Sequence, residues 1–98
     1  MKQFTNNEQT AKLIELGFEP STRIPFEVGN DELGRTFSIG ELIEMLPKEY
    51  DSEALSIGWH YMADVWIVRH PTTILIYKEE LVDALYEMVI ILKEEGVI

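Results

Sequence analysis

The sequence lacks cysteine altogether among its 98 residues, which excludes disulfide bonds and thiolate metal sites. It also lacks a long hydrophobic run. The longest, such as "MVIIL" and "TILIY", fall far short of the roughly 20 residues that a membrane span needs. The opening segment "MKQFTNNEQT" is polar and has no hydrophobic region of a signal peptide. We therefore expect a cytoplasmic protein that does not enter membranes.

Basic residues are scarce. Eight Lys and Arg stand against eighteen Asp and Glu, which gives a formal net charge of −10. Binding to nucleic acid requires a basic face that neutralises phosphates, so we expect no direct contact with nucleic acid. Anionic membranes would repel the chain for the same reason. A charged partner should be basic, although acidic residues also serve simply to keep a domain in solution.

Residues that carry out chemistry are few and badly spaced. Metal sites usually need three or four ligands, whereas the chain has two histidines, His60 and His70. No serine lies in a G-x-S-x-G motif, and no H-E-x-x-H motif occurs. We expect His60 to face solvent or to be hydrogen-bonded. The sequence predicts no catalytic, cofactor-binding or metal-binding residue, so we expect no enzyme and no cofactor.

One stretch resembles a phosphate-binding loop. "GNDELGRT", residues 29–36, reads G-x-x-x-x-G-R-[ST]. Asp31 and Glu32 would lie inside the loop and repel phosphates, and Arg35 replaces the lysine of the motif. The following helix begins too late for Thr36 to bind magnesium there. We interpret the stretch as an acidic surface turn, preceded by a candidate edge strand, "IPFEV" (residues 24–28).

Three segments have the hydrophobic period of a helix. The first is preceded by Thr5 with Glu8, which has the spacing of a capping box, and is followed by Gly17. The second is preceded by Ser38 with Glu41, which has the same spacing. The predicted helices span about residues 6–16, 39–46 and 78–95.

The last helix has an unusually wide apolar arc. Its central stripe is extended on one flank by Ala84 and Ile91 and on the other by Tyr86 and Ile90. A helix that lies on one sheet needs a stripe of only about 100°. Either other elements of the chain wrap this helix, or part of it meets a second copy in a homodimer.

Strand patterns occupy the region between the second and third helices. The period changes to two at Leu55, "VWIVRH" indicates the return strand of a hairpin, and "TTILIY" is a third strand. A turn centred on Ala63-Asp64 would place Trp59 opposite Val68 and Tyr61 opposite Trp66. Aromatic residues on one sheet face usually belong to the core, and a binding platform is the alternative. If helices cover one side only, the other face carries His60, Ile67 and Arg69, a mixed surface for a partner.

These elements predict one α+β domain over residues 1–98. We expect a small antiparallel sheet of three or four strands packed against two to three helices.

Three segments carry a resemblance. "TNNEQTAKLIELGFE" with "FSIGELIEMLP", and "ELVDALYEMVIILKEEG", resemble small uncharacterised proteins encoded in phages and mobile elements of Bacteroides-type gut bacteria. The resemblance covers both ends and the second helix, roughly half of the chain. It implies a small accessory protein of a phage-like element that binds host or phage proteins, and it assigns no functional residue.

Three functions follow as hypotheses. The first is a small acidic, non-catalytic intracellular module that binds a protein partner or a second copy of itself. The second is an acidic inhibitor that mimics DNA and occupies the basic groove of a nucleic-acid-binding protein. The third is a small-ligand-binding protein or an enzyme.

Overall fold

The fold is α+β, as the sequence predicts. A computed structural model describes residues 2–20, 22–23, 35–50, 53–71 and 74–98. Two predicted features, the strand at 24–28 and the loop residues 29–34, lie outside these ranges. The elements in chain order are α1 (Asn7–Glu15), β1 (Thr22–Arg23), β2 (Arg35–Thr36), α2 (Ile39–Met45), β3 (Glu49–Tyr50), β4 (Glu53–Ala54), β5 (Ser56–His60), β6 (Val65–His70), β7 (Ile74–Lys78) and α3 (Leu81–Glu94).

Capping boxes begin the first two helices, because they satisfy backbone N–H groups that have no partner inside a helix. The predicted box of Ser38 and Glu41 at α2 is confirmed. The predicted box of Thr5 with Glu8 at α1 is wrong by one residue. There the Gln9 backbone N–H donates to Asn6 Oδ1 at 2.8 Å, and the Asn6 N–H donates to Gln9 Oε1 at 3.0 Å.

Thr5 has a different role, in a buried cluster of three threonine hydroxyls. Its Oγ1 lies 2.6 Å from that of Thr10 and 3.0 Å from that of Thr36. The hydroxyls of Thr10 and Thr36 are also 3.0 Å apart, and all three residues are buried. Because Thr36 Oγ1 also donates to the Thr5 carbonyl at 3.1 Å, the cluster joins the start of the chain to α1 and β2.

The main sheet is antiparallel and has the strand order β5-β6-β7. Residues directly opposite one another share a face of a sheet, since side chains alternate along a strand. Val68 and Ile76 are paired and both are buried, so their face is the one that meets the core. The pairs β1-β2 and β3-β4 form separate two-stranded ribbons.

Helix α3 is wrapped by the rest of the chain, the first of the two alternatives left by the sequence. It packs over β6 and β7 on one side and against α2 on another. It starts at Leu81 rather than at residue 78, because Lys78 is the last residue of β7. The apolar core consists of Leu13, Phe37, Leu42, Leu46, Val68, Ile76, Leu81, Val82, Ala84, Leu85, Met88, Val89 and Leu92.

The wrapping of α3 removes the reason that the sequence offered for a homodimer, although the oligomeric state itself stays a prediction.

Glycines end α1 and α3 as expected. Gly17 has a φ of +99° and Gly96 a φ of +77°, values that a residue with a Cβ rarely adopts. Among the helices in the described ranges, none is long and apolar enough to cross a bilayer.

Candidate functional site

Strand β5 is an edge of the sheet, and the helical layer does not cover it. A helix is about 10 Å wide and neighbouring strands are about 4.8 Å apart, so α3 covers two strands and not three. All five residues of β5 are exposed. Ile57 and Trp59 lie on the same face as the buried Val68, yet they are 36% and 48% exposed to solvent. The apolar face of the sheet therefore continues beyond α3 into solvent.

Trp59 and Trp66 lie where this uncovered region meets the part of the sheet that α3 covers. The register places them directly opposite each other on β5 and β6. Their ring centroids are 5.3 Å apart, and their planes meet at 63° in an edge-to-face contact. With Glu79 and Glu80 they line an open depression of ≈ 420 Å³. We call these four residues the tryptophan–glutamate depression.

The turn between β5 and β6 extends the apolar surface. Tyr61 is 77% exposed and Met62 is 78% exposed. The turn is held by the Ala63 backbone N–H, which donates to His60 Nδ1 at 3.2 Å. Asp64 completes it with a φ of 54°, a conformation that short polar side chains tolerate better than most.

The described residues around Glu79 and Glu80 offer a neutral donor but no ion pair. Glu80 Oε2 accepts a hydrogen bond of 2.8 Å from the Lys2 backbone N–H, which is a neutral donor. Within the described parts of the chain, no cation forms an ion pair with Glu79 or Glu80. Lys78 shares the face of Trp66, but its ammonium is engaged elsewhere, 2.9 Å from Glu87 Oε2. The hydrogen bond to Glu87 and its charge raise the pKa of Lys78.

A further carboxylate, Asp83 on the first turn of α3, is paired with a cation. Asp83 Oδ1 accepts hydrogen bonds from Lys2 Nζ at 2.7 Å and from Gln9 Nε2 at 2.8 Å. Burial alone would raise the pKa of Asp83, but these hydrogen bonds and the charge of Lys2 outweigh it, so the pKa is lowered. This contact ties the start of the chain to α3, beside the depression.

The expectation that the aromatic residues belong to the core is wrong for Trp59 and Tyr61, which are exposed, while Trp66 is half-buried against the core. The predicted register was also wrong, by two residues. The turn comprises residues 61–64, so Trp59 pairs with Trp66 rather than with Val68. A shift of two residues keeps every side chain on its face, so the predicted faces are correct.

The two histidines lie on opposite faces of the sheet. His60 is exposed and accepts the hydrogen bond from Ala63, as predicted. His70 lies on the face that meets the core and is fully buried, and this burial lowers its pKa. Across the described residues, no group of three or more His, Asp or Glu side chains is arranged to hold a metal ion.

The helix with broad contacts on the sheet, α3, lies on the face of Val68, and the other face keeps exposed side chains in the part of the chain that the structure describes. That other face carries His60, Ile67 and Arg69, as the sequence predicts for this arrangement, together with the exposed Leu75 and Tyr77. This face is mixed in character and has no described depression.

The stretch that resembles a phosphate loop is described only at Arg35 and Thr36. These residues form β2, which pairs with β1, and the Thr36 hydroxyl is buried among the threonines. Helix α2 begins at Ile39, with Ser38 as its cap. The Thr36 hydroxyl is thus enclosed in the threonine cluster of the core.

Comparison of the chain with protein-family models, with curated proteins and with solved structures gives no match. The candidate site therefore rests on its own geometry. The one signal for this site in the sequence was the strand alternation, which places Trp59 and Trp66 on the same face of the hairpin. No signal in the sequence pointed to Glu79 and Glu80. They lie in the connection between β7 and α3, and only the folded chain brings this connection beside the tryptophans.

Proposed function

We propose that the chain is a small acidic, non-catalytic protein-interaction module that binds its partner through β5 and the β5–β6 turn. The observation that supports this most is the exposure of four large apolar side chains on this one hairpin: Ile57, Trp59, Tyr61 and Met62. Exposed apolar patches of this kind mark interaction sites, since covering them with a partner removes apolar surface from water.

The strand itself adds to this support. An edge strand presents unpaired backbone N–H and C=O groups, to which another chain can add. Natural sheets commonly block such edges with proline or with inward-pointing charge. β5 contains Ser56, Ile57, Gly58, Trp59 and His60, so it carries neither. A protein partner is therefore favoured over a small ligand.

Charge favours a partner other than a second copy. Each chain carries a net charge of −10, so two copies repel each other, whereas a basic partner is attracted and steered to the surface. DNA mimicry has less support, because it needs carboxylates in phosphate-like rows. The exposed acids of the described residues are instead distributed over α1, Glu19 after it, α2, β4, the β5–β6 turn, Glu79 before α3, and the end of α3. The setting in a phage-like element and the cytoplasmic location stay predictions from the sequence.

The proposal is tested by affinity capture from the native cell with three versions of the chain, followed by mass spectrometry. The wild type is compared with the variant Ile57→Lys/Met62→Lys, which places charge on the proposed surface. The matched control is Ile14→Lys on α1, since Ile14 is 40% exposed but lies away from the sheet. We expect a protein that is captured by the wild type and the control and is lost with the double variant.

Capture that is equal for all three versions would contradict the proposal, because the binding surface would then lie elsewhere. Circular dichroism and urea unfolding of the three proteins establish that each is folded. A strict monomer in sedimentation that captures no protein dependent on β5 would also overturn it.

A further inference from the structure

We propose that the tryptophan–glutamate depression receives an arginine side chain, presented by an exposed basic segment of the partner protein. This inference rests on the proposed function and names the partner's chemistry. It depends on Trp59, Trp66, Glu79 and Glu80, which together line one open depression.

The indole rings supply a surface for a flat cation. The rings of Trp59 and Trp66 meet at 63°, so they form two walls of different orientation rather than one flat stack. Trp59 leaves 48% of its surface exposed. Tryptophan is the side chain whose ring face attracts cations most strongly, and arginine is the cation most often found there.

The carboxylates supply the counter-charge. Glu79 and Glu80 immediately precede α3. Neither forms an ion pair with a cation of the described residues. An apolar guest would bury these carboxylates without offering a hydrogen-bond donor. The free-energy cost of their desolvation would then be uncompensated, so an apolar guest is disfavoured. A guanidinium group meets both demands, because its flat face stacks on an indole while its N–H groups donate to carboxylate oxygens.

Lysine and a second copy of the chain fit less well. The lysine ammonium is compact and strongly hydrated, and it cannot stack. A second copy brings a net charge of −10 to an acidic depression. Of the described cations near the site, Lys2 is engaged by Asp83 and Lys78 by Glu87, so neither occupies the depression.

The experiment is a titration of the ¹⁵N-labelled full chain, followed through the indole Nε1–H resonances in NMR spectra. The probe is N-acetyl-arginine amide, and the control probe is N-acetyl-citrulline amide, which has nearly the same shape without the charge. Trp59→Phe assigns the two resonances. We expect both to shift with the arginine probe, and we expect the citrulline probe to bind roughly fivefold more weakly.

A matched pair of variants tests the carboxylates. Glu79→Gln should weaken binding of the arginine probe roughly threefold. Glu95→Gln, which removes an exposed carboxylate at the opposite end of α3, should leave binding unchanged. N-acetyl-lysine amide should bind more weakly than the arginine probe.

Three results would overturn the inference: no shift of either indole resonance up to about 0.5 M probe, a concentration at which even one weak exposed contact is substantially populated; equal binding of citrulline; or lysine binding as tightly as arginine. If the inference fails while capture of a protein still depends on Ile57 and Met62, the proposed function stands and only its occupant is wrong. If arginine binds but no such protein is captured, the interaction surface of the proposed function is wrong and the depression binds free cations.

Discussion

Trp59 and Trp66 lie directly opposite each other on neighbouring strands, with ring centroids 5.3 Å apart, yet they belong to different environments. Trp66 packs against the core under α3, while Trp59 lies beyond the helix and is about half exposed, at 48%. The pair thus joins the core of the protein to the surface that we propose for binding.

The two tryptophans should differ in their contribution to stability. We expect Trp66→Ala to lower the free energy of unfolding by about 3 kcal/mol, since it leaves a cavity beside the core. Trp59→Ala should cost only about 1 kcal/mol, mostly from the lost ring contact. Urea unfolding measures both. Equal losses would show that β5 is covered in solution, contrary to the structure.

The buried threonine cluster should be sensitive to loss of a single hydroxyl. Thr36→Val keeps the shape of the side chain but removes a partner from Thr5 and Thr10, so we expect a loss of about 1–3 kcal/mol. Ser56→Ala, at an exposed position of β5, is the control and should change stability by less than about 0.5 kcal/mol. A Thr36→Val protein as stable as the control would mean that the hydroxyls do not form this cluster.

Stability should fall in mildly acidic solution because of His70. Its burial lowers the pKa from the ordinary value of 6.5, so the unfolded chain binds a proton that the folded chain resists. This contribution is fully present above pH 6.5 and is lost as the pH falls below that value, by up to about 1.4 kcal/mol per pH unit. Thermal unfolding at pH 7.5 and 5.5 should therefore show a larger loss for the wild type than for His70→Gln.

The exposed His60 provides the control for this measurement. The variant His60→Gln removes an imidazole that is exposed on the other face of the sheet, so it leaves the burial of His70 unchanged. Comparing each variant with the wild type cancels the effect of acid on the many surface carboxylates. If His70→Gln retains the full pH dependence, another group is responsible.

The contact between Lys2 and Asp83 should stabilise the fold weakly. The two side chains are 31% and 32% exposed, so solvent screens their attraction and we expect a coupling of about 0.5–1 kcal/mol. A double-mutant cycle with Lys2→Met and Asp83→Asn measures it. Because the folded-state pKa of Asp83 is lowered, the coupling should be present above its unfolded pKa and disappear as the pH falls through the folded value.

Salt provides a second check on the same pair. The coupling should shrink between 0.05 and 0.5 M salt, roughly the range over which the screening length falls below 10 Å. A coupling that is zero at low salt would mean that Lys2 is not fixed against α3.

The local features of the sequence determined most of the secondary structure. The helix at Ile39–Met45 and its cap Ser38 were predictable because a capping box involves residues three apart. The strand Val65–His70 was predictable because period-two alternation is a property of the segment itself. At α1 the sequence predicted Thr5 as the cap with Glu8, whereas the residue that caps the helix is Asn6, with Gln9.

Tertiary packing decided the role of Thr5. Its hydroxyl bonds to Thr36, which is 31 residues away, so no local pattern could indicate it. The register of β5 against β6 was likewise decided by the four-residue turn, whose Asp64 adopts a positive φ that the sequence did not specify.

The sequence by itself thus determined where the three helices and the three strands of the main sheet lie and which of their faces are apolar, because these follow from residue type and short-range spacing. Only the tertiary structure decided that α3 is wrapped and that β5 is not. A single helix is about two strands wide, so a three-stranded sheet leaves one strand open, and the order β5-β6-β7 made that strand the one with Trp59. The same packing brought Glu79 and Glu80 beside the two tryptophans.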